Sequence, residues 1–364
     1  MNLIKKQIIE LAQSLRVKAK EKMEKYDIDQ SRPVASWISD DRLLSGVGYE
    51  FTVILRTCGC KWAKSASGGC SMCGYYNDSS PVEISDEEIV AQFIQAIGRY
   101  DQRLQEIHAE GKSVALKIFT SGSFFDDDEI SEIIRDQIAS KITELPMITE
   151  IVVESRPEFV VGPSIQRFKK QLGSAVLEVG MGLESSSNFV RETLINKGFG
   201  VGAIKKAIDV LHENDALAKI YLLLKPPFLT EKRAIVDAVQ SIKDSLEMGA
   251  DVISINPVNV QKYTIVDYLH YRNQYRPPWI YSVFEVFRRS LNPEILKNVL
   301  ILCDPSAAGK SRGVHNCKDR GCNQLWLDKL HEFVQKQDYS IISDPNLPYD
   351  ACSCWKKYQM VLDC

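Results

Sequence analysis

The chain has 364 residues, 45% hydrophobic and 26% charged, with a formal net charge of −3. That balance suits one large α/β domain with small appendages and excludes a globally basic nucleic-acid binder, so any RNA contact must rest on local basic patches. No apolar run approaches the roughly 18 residues of a membrane helix, and ten cysteines behind an amphipathic start that carries Glu10, not a secretory signal, point to metal ligation in a reducing cytosol.

Residues 1 to about 45 read as a helical N-terminal extension. Leu3, Ile4, Ile8, Ile9, Leu11 and Leu15 form its apolar stripe. Arg16, Lys18, Lys20, Lys22 and Lys25 form a basic face, either a solvated surface or a strip along a phosphate backbone. From 46 to 304 the chain alternates strand and helix. Apolar runs at Tyr49–Arg56, Val114–Thr120, Thr149–Glu154, Ala175–Met181, Lys219–Leu224 and Asp251–Asn256 read as parallel strands buried on both faces. One helix begins at Ser85, which forms a capping box with Glu88. Others cover about Glu129–Leu145, Ser164–Leu172, Asn188–Asn196 with Ala203–Asn214, and Thr230–Met248. Six βα units predict an α/β fold built on a partial (β/α)6 parallel barrel, with a doubly wound open sheet as the alternative. Residues 305–364 form a small cysteine-rich module.

In such barrels the chemistry collects at the C-terminal ends of the strands. The first end carries RTCGCKWAKSASGGCSMCGYYND, with Cys60, Cys70 and Cys73 spaced Cys-x9-Cys-x2-Cys. A cubane iron–sulfur cluster takes four thiolates, and three leave one iron open for a small molecule. The other reading of this stretch is a structural zinc site on Cys58, Cys60, Cys70 and Cys73. The second end runs into SGSFFDDDE, where Gly122 and Ser123 bring backbone close to a ligand, and Asp126, Asp127 and Asp128 read as helix N-terminal charges. At the third, Glu154, Ser155 and Arg156 precede Pro157. A carboxylate there suits ribose hydroxyls and a guanidinium suits a carboxylate, or the two are a rim ion pair. The fourth carries Gly180, Gly182, Glu184 and Ser185, then Lys197. Lys225-Pro226-Pro227 and Asn256-Pro257 end the fifth and sixth.

Beyond the last strand Tyr271, Arg272, Tyr275, Arg276 and Trp279 interleave aromatic and basic groups, as in stretches that stack bases. Trp279, Val283 and Phe287 also fit the buried stripe of a helix, with Arg272 and Arg276 left exposed. Cys317-x4-Cys322 and Cys352-x-Cys354 make two thiol pairs, which together form a closed four-thiolate site for zinc or an auxiliary iron–sulfur cluster. His315 and Cys303 are substitute ligands. Lys310, Arg312, Lys318 and Arg320 surround the first pair and suit contact with RNA phosphates.

The cysteine loop resembles that of radical S-adenosylmethionine (SAM) enzymes, and its longer gap resembles the branch that contains the Elongator catalytic subunit. GCKW…GGCSMCGYYND, FTSGSF, VESRPE, GLES…INKG, NPVNVQ, YRPPW and RGVHNC…CSC together resemble the radical SAM subunits of archaeosine synthase, from residue 30 onward. The Cys317–Cys322 gap is longer than that resemblance leads one to expect. The branch more often has Gln at position 184 and Arg at 197.

The resemblance implies a barrel of radical SAM type and a [4Fe–4S] cluster on Cys60, Cys70 and Cys73, with Cys58 a bystander. It implies a SAM pocket on Gly122, Ser123, Glu154, Arg156, Glu184 and Lys197. Cys317, Cys322, Cys352 and Cys354 then hold a second metal, zinc. The implied activity is that of a cytoplasmic archaeal tRNA-modification enzyme. A partner subunit attaches lysine to 7-cyano-7-deazaguanine in the tRNA D-loop, an electron donor supplies the cluster, and a radical C–N cleavage leaves archaeosine. Two other readings are a different radical SAM reaction on RNA, such as methylthio or acyl transfer, and a non-catalytic metal-stabilised RNA-binding scaffold.

Overall fold

The structure, a computed structural model, describes residues 3–25 and 29–363. Eight strands form one sheet whose spatial order follows the sequence: β1 (Ala35–Leu43), β2 (Gly46–Ile54), β3 (Val114–Phe119), β4 (Ile148–Glu154), β5 (Val176–Glu184), β6 (Leu217–Leu224), β7 (Val252–Pro257) and β8 (Leu300–Leu302). β1 and β2 make an antiparallel hairpin, and β2 through β8 run parallel. An order that never reverses is the path of a barrel; a doubly wound sheet turns back at a switch point. β1 and β8 do not pair, so the barrel is partial.

The six expected strands are β2 to β7. The helical expectation for residues 1–45 holds over Leu3–Met23; Ala35–Leu43 is instead the edge strand β1. Its inward side chains are polar, which hides the strand from a search for apolar runs: Trp37 and Ser39 donate to Glu50 at 2.7 Å each, and Asp41 pairs with Lys117 at 2.7 Å. β8 has only three residues, too few to show a period.

The expectation that the strands are apolar on both faces fails on one of them. Phe51, Val53, Leu116, Ile118, Ile151, Val153, Leu177 and Val179 face the surrounding helices in one continuous core. The alternate positions carry Glu50, Thr52, Lys117, Glu150, Glu178 and Lys219, among apolar residues such as Ala115 and Val152, and point into the concave face. There Lys117 bridges Asp41 and Glu50, and Lys219 pairs with Glu178 at 2.9 Å. Such pairs stay charged out of water because each has its partner; removing one member is what costs.

Around the outside run helices at Asp86–Ala109, Glu132–Thr143, Gly162–Gln171, Val201–Glu213 and Glu231–Met248. Ser85 caps the first with the expected reciprocal bonds to Glu88. Residues from Ile280 on add helices at Ile280–Ser290, Arg320–Lys336 and Cys354–Asp363. Trp326, Phe333 and Tyr358 from this C-terminal part are buried in the same core as the barrel helices.

Candidate active site

The loop after β2 is held from three sides. From above, the N-terminal helix lends Arg16, whose guanidinium donates to the carbonyls of Gly68 (3.0 Å), Cys70 (3.3 Å) and Cys73 (2.6 Å). Arg16 is buried, so it does not belong to the basic outer face expected for that helix. From the β5 side, Asn196 donates to Ser67 and Gly69 carbonyls at 2.9 and 2.8 Å, and its own carbonyl accepts from the Trp62 indole at 2.7 Å. Asn196 sits at φ 61°, in the left-handed region, closing a π-helical turn over Phe189–Ile195. Gln261, past β7, accepts from the Gly74 amide.

This frame gathers Cys60, Cys70 and Cys73. Burial pushes the Cys60 thiol up, and the Cys73 sulfur raises it further. Cys70 is pushed up to about 12 by burial, against the pull of Lys197, and it too feels Cys73 and Cys60. Cys58 faces elsewhere, accepting from Lys64 Nζ at 3.4 Å and donating to the Asp128 carbonyl at 3.4 Å. Cys60, Cys70 and Cys73 therefore lie near enough for Cys73 to raise the other two thiols, while Cys58 makes its contacts with Lys64 and the Asp128 carbonyl.

The other strand ends close around them. Gly122 lies against the loop so tightly that a Cβ there would come within 2.9 Å of Cys60 Cα. Ser123 Oγ accepts from the Arg156 amide at 3.1 Å. Arg156 reaches the Lys197 carbonyl at 3.1 Å and lies over the Trp62 and Phe199 rings at 5.3 and 5.0 Å. Lys197 Nζ meets Glu184 at 2.7 Å, and both are buried. Glu184 has φ 66° at a register shift between β5 and β6, a strained placement that turns its carboxylate toward Lys197. Gly182 makes room, since a Cβ there would strike both Glu184 and Lys197. Burial raises the Glu154 carboxyl, while a hydrogen bond from Tyr221 opposes the rise.

Several residues of this mouth escape a sequence reading. Glu129 is buried, accepting from Thr57 Oγ1 at 2.6 Å and the Ser123 amide at 2.7 Å. It hides at the end of an acidic run whose other members lie outside the helix that starts at Glu132. Asp126 and Asp128 bind Lys61 at 2.9 and 2.6 Å, and Asp127 binds Arg135 at 2.6 Å, so they are ion-pair partners, not helix N-terminal charges. Tyr75 is 56% exposed as a residue, but its hydroxyl end is removed from water, which pushes it up, and Glu154, Cys73 and Glu184 add to the rise.

The second thiol group is compact. Cys317, Cys322, Cys352 and Cys354 place their sulfurs within 4.8 Å of one another, with Cys317–Cys352 at 3.9 Å and Cys322–Cys354 at 3.6 Å. Zn–S bonds of ~2.3 Å in a tetrahedron put sulfurs ~3.8 Å apart, so these four can hold one ion. Asp319 caps the Arg320–Lys336 helix by accepting from the Cys322 amide, and Asn323 ties down the Cys317 carbonyl at 2.9 Å. His315 and Cys303 lie outside the four: His315 Nδ1 is engaged by the Gly313 carbonyl, and Cys303 is buried beside Asp304. Trp279 is buried as expected; Arg276 is not exposed but half-buried, stacked 3.9 Å over Trp279. Lys310, Arg312, Lys318 and Arg320 are exposed. Among the described residues no helix is long and apolar enough to cross a membrane.

No protein-family model matches the sequence. Among solved structures the chain aligns with Elp3 of Methanocaldococcus infernus at TM-score 0.47 and 16% identity, over 66% of this chain and 58% of that one. It aligns with methylornithine synthase at TM-score 0.47 and 12% identity, over 82% of this chain and 73% of that one. Sequence relatives reach further. An uncharacterised protein of Methanocaldococcus jannaschii is 38% identical over 91% of this chain and 87% of its own. The archaeosine synthase subunit beta of Thermococcus kodakarensis is 34% identical over 88% and 94%. That of Methanosarcina acetivorans is 36% identical over 99% of this chain and 96% of its own. At that identity from end to end, the chain belongs to the archaeosine synthase subunit beta family.

Proposed function

We propose that the chain is a radical SAM enzyme that acts on tRNA and forms archaeosine. On this reading it cleaves the C–N bond of a lysine adduct of 7-cyano-7-deazaguanine in the D-loop, working with a lysine-transferring subunit and an electron donor in the cytoplasm. The observation that carries the reading is one braced loop, held by Arg16 and Asn196, that carries Cys60, Cys70 and Cys73 while Cys58 is bonded to Lys64 and the Asp128 carbonyl. Three thiolates fit a [4Fe–4S] cluster with one iron left open, which four would close. That cluster, when bound, supplies the electron that splits SAM to a carbon radical. Such a reagent is needed because the C–H bond beside the adduct nitrogen has no acid–base handle.

The chain's own residues bind and orient. Lys197 and Arg156 offer cations to the SAM carboxylate, with Arg156 stiffened between two rings. Glu154 and Glu184 offer acceptors to its amine and ribose, and the Gly122–Ser123 turn lets backbone approach. The C-terminal thiolates would hold zinc, since a cubane spreads its ligands over four irons and keeps their sulfurs farther apart than 3.6–3.9 Å. Four thiolates close the ion's shell, so its role is folding and docking of tRNA through the exposed basic residues nearby. Anaerobic incubation of the reconstituted protein with SAM, dithionite and lysine-modified tRNA tests the reading. It expects 5'-deoxyadenosine and archaeosine; 5'-deoxyadenosine with no change in the tRNA would leave only the cofactor assignment standing.

A further inference from the structure

An open groove of about 690 Å³ lies between the loop after β6 and the Cys354–Asp363 helix, and Leu229 and Tyr275 of its lining pack in the same apolar cluster as Cys70 and Met72 of the thiol loop. Its floor carries Lys225 and Arg276, its far wall Lys357, and its rim Phe228 and Gln274. The loop KPPF that forms one wall is strained: Lys225 and Phe228 have φ 63° and 73°. For a bulky aromatic residue that backbone is a rare outlier that only the surroundings can impose. Its effect is to hold an aromatic ring 48% exposed at the groove edge, where burial would otherwise be favoured.

The charge in the groove is one-sided. Three cations face one carboxylate, Glu231, and that carboxylate is already occupied by Lys225 at 2.7 Å, the Trp279 amide at 2.9 Å and the Ser282 hydroxyl at 2.5 Å. Arg276 spends its hydrogen bonds on the carbonyls of Pro277, His315 and Asn316 and, among the described residues, has no carboxylate in ion-pair contact. Lys357 lies one turn beyond Cys354, so the four-thiolate site fixes the wall that carries it.

We propose that this groove is a subsite for a nucleotide of the RNA substrate, flanking the one that enters the barrel mouth. Phe228 stacks on the base and Lys357, with the cationic floor, takes its phosphate. The proposal rests on the RNA-modifying function above and deepens it. A base can reach the thiol loop only if it leaves its stack, and its neighbour then loses a stacking partner. An aromatic plate at the mouth replaces that partner, and cations beside it hold the backbone. The metal module on this view builds part of the RNA site, beyond stiffening a short segment.

The test uses the full-length, metal-loaded protein and a tRNA transcript, with affinity read by fluorescence anisotropy across a salt series. Phe228→Ala should weaken binding about 5- to 150-fold, the range of one base–aromatic stack, and leave the salt slope unchanged. Phe228→Trp should bind like the parent, which shows that the loop tolerates substitution. Phe228→Leu, apolar without a π-face, should behave like Phe228→Ala. Lys357→Ala should lower the slope of log K against log salt by about one. SAM affinity should stay unchanged in all four. Parent-like binding by Phe228→Ala overturns the subsite, and so does full rescue by Phe228→Leu, which would make the groove an apolar seat for a protein partner. Loss of SAM affinity would instead place the groove in the cofactor site. A parent protein with no measurable tRNA affinity overturns the RNA function itself, and the subsite with it.

Discussion

Arg16 offers a direct way to ask what holds the thiol loop. Arg16→Met keeps most of the buried stem and removes the guanidinium. The two short bonds, to Gly68 at 3.0 Å and Cys73 at 2.6 Å, are charge-assisted contacts, each worth roughly 1.5–3 kcal/mol; the 3.3 Å contact to Cys70 adds little. Cys70 and Cys73 are half-buried, so water can reach part of what is lost. The remaining cost is about 3 kcal/mol, which favours local opening of the loop by about two orders of magnitude. Hydrogen exchange reads this directly. The Ser71 amide, bonded to the Ile195 carbonyl at 2.8 Å, should exchange about 100-fold faster. The β3 amides, bonded within the sheet, should not change. Retained iron after anaerobic reconstitution should fall in parallel. Unchanged exchange at Ser71, or equal acceleration in loop and sheet, would refute the idea that Arg16 acts locally on the thiol loop.

Four further outcomes follow from the same geometry. Cys58→Ala should keep iron and Cys70→Ala should lose it; equal loss would favour a four-thiolate ion there. Lys197→Met strands the buried Glu184 carboxylate and should cost about 3–5 kcal/mol in urea unfolding. Adding Glu184→Gln should recover that stability but not SAM affinity, whereas recovery of both would remove Lys197 from the pocket. The Asp237 carboxyl, half-buried and hydrogen-bonded by Ser185, is raised by its loss of solvent from 3.8 to about 6. The folded chain therefore holds this proton more tightly than the unfolded one, and stability drops by roughly 2–3 kcal/mol as pH rises from about 4 to above 6; Asp237→Asn should abolish that part of the pH dependence, and an unaltered urea profile would refute it. Arg312→Ala with Arg320→Ala, metal retained, should lower the salt slope of tRNA binding by about two. Truncation at residue 306 is a poorer test, because it would strip Trp326 from the Tyr281 and Phe284 rings and expose the core.

The order of the barrel was legible because helix and strand alternate at a regular interval and Gly, Pro and Ser mark the strand ends. The cysteine spacings were legible for the same local reason. What escaped is non-local. Arg16 carries a charge that suits a solvated helix face, and only the fold shows that it points at a loop more than fifty residues away. β1 escaped because its inward partners, Glu50 and Lys117, come from other strands. The polar lining was in fact written in plain view, as Lys117, Glu150, Glu178 and Lys219 within otherwise apolar runs. Each looked like an interruption, although each stands at a position whose side chain its strand turns away from the helices.

That lining bears on the kind of chemistry the mouth can do. The chain has five histidines, at 108, 212, 270, 315 and 331, and the parallel strand ends around the thiol loop carry none of them. The carboxylates that stand there are engaged: Glu184 by Lys197, Glu129 by Thr57 and the Ser123 amide, Glu154 by the Tyr221 hydroxyl. Below them Glu178 and Lys219 close on each other. A site built for general acid–base work needs a group whose proton is free to move at neutral pH and which can reach the substrate. Glu184 instead spends its charge on Lys197, and Glu129 spends its oxygens on Thr57 and the Ser123 amide, which fixes their positions. On the proposed function, reactivity would come from what the three thiols would hold, and the protein's part is to bind, align and keep water out.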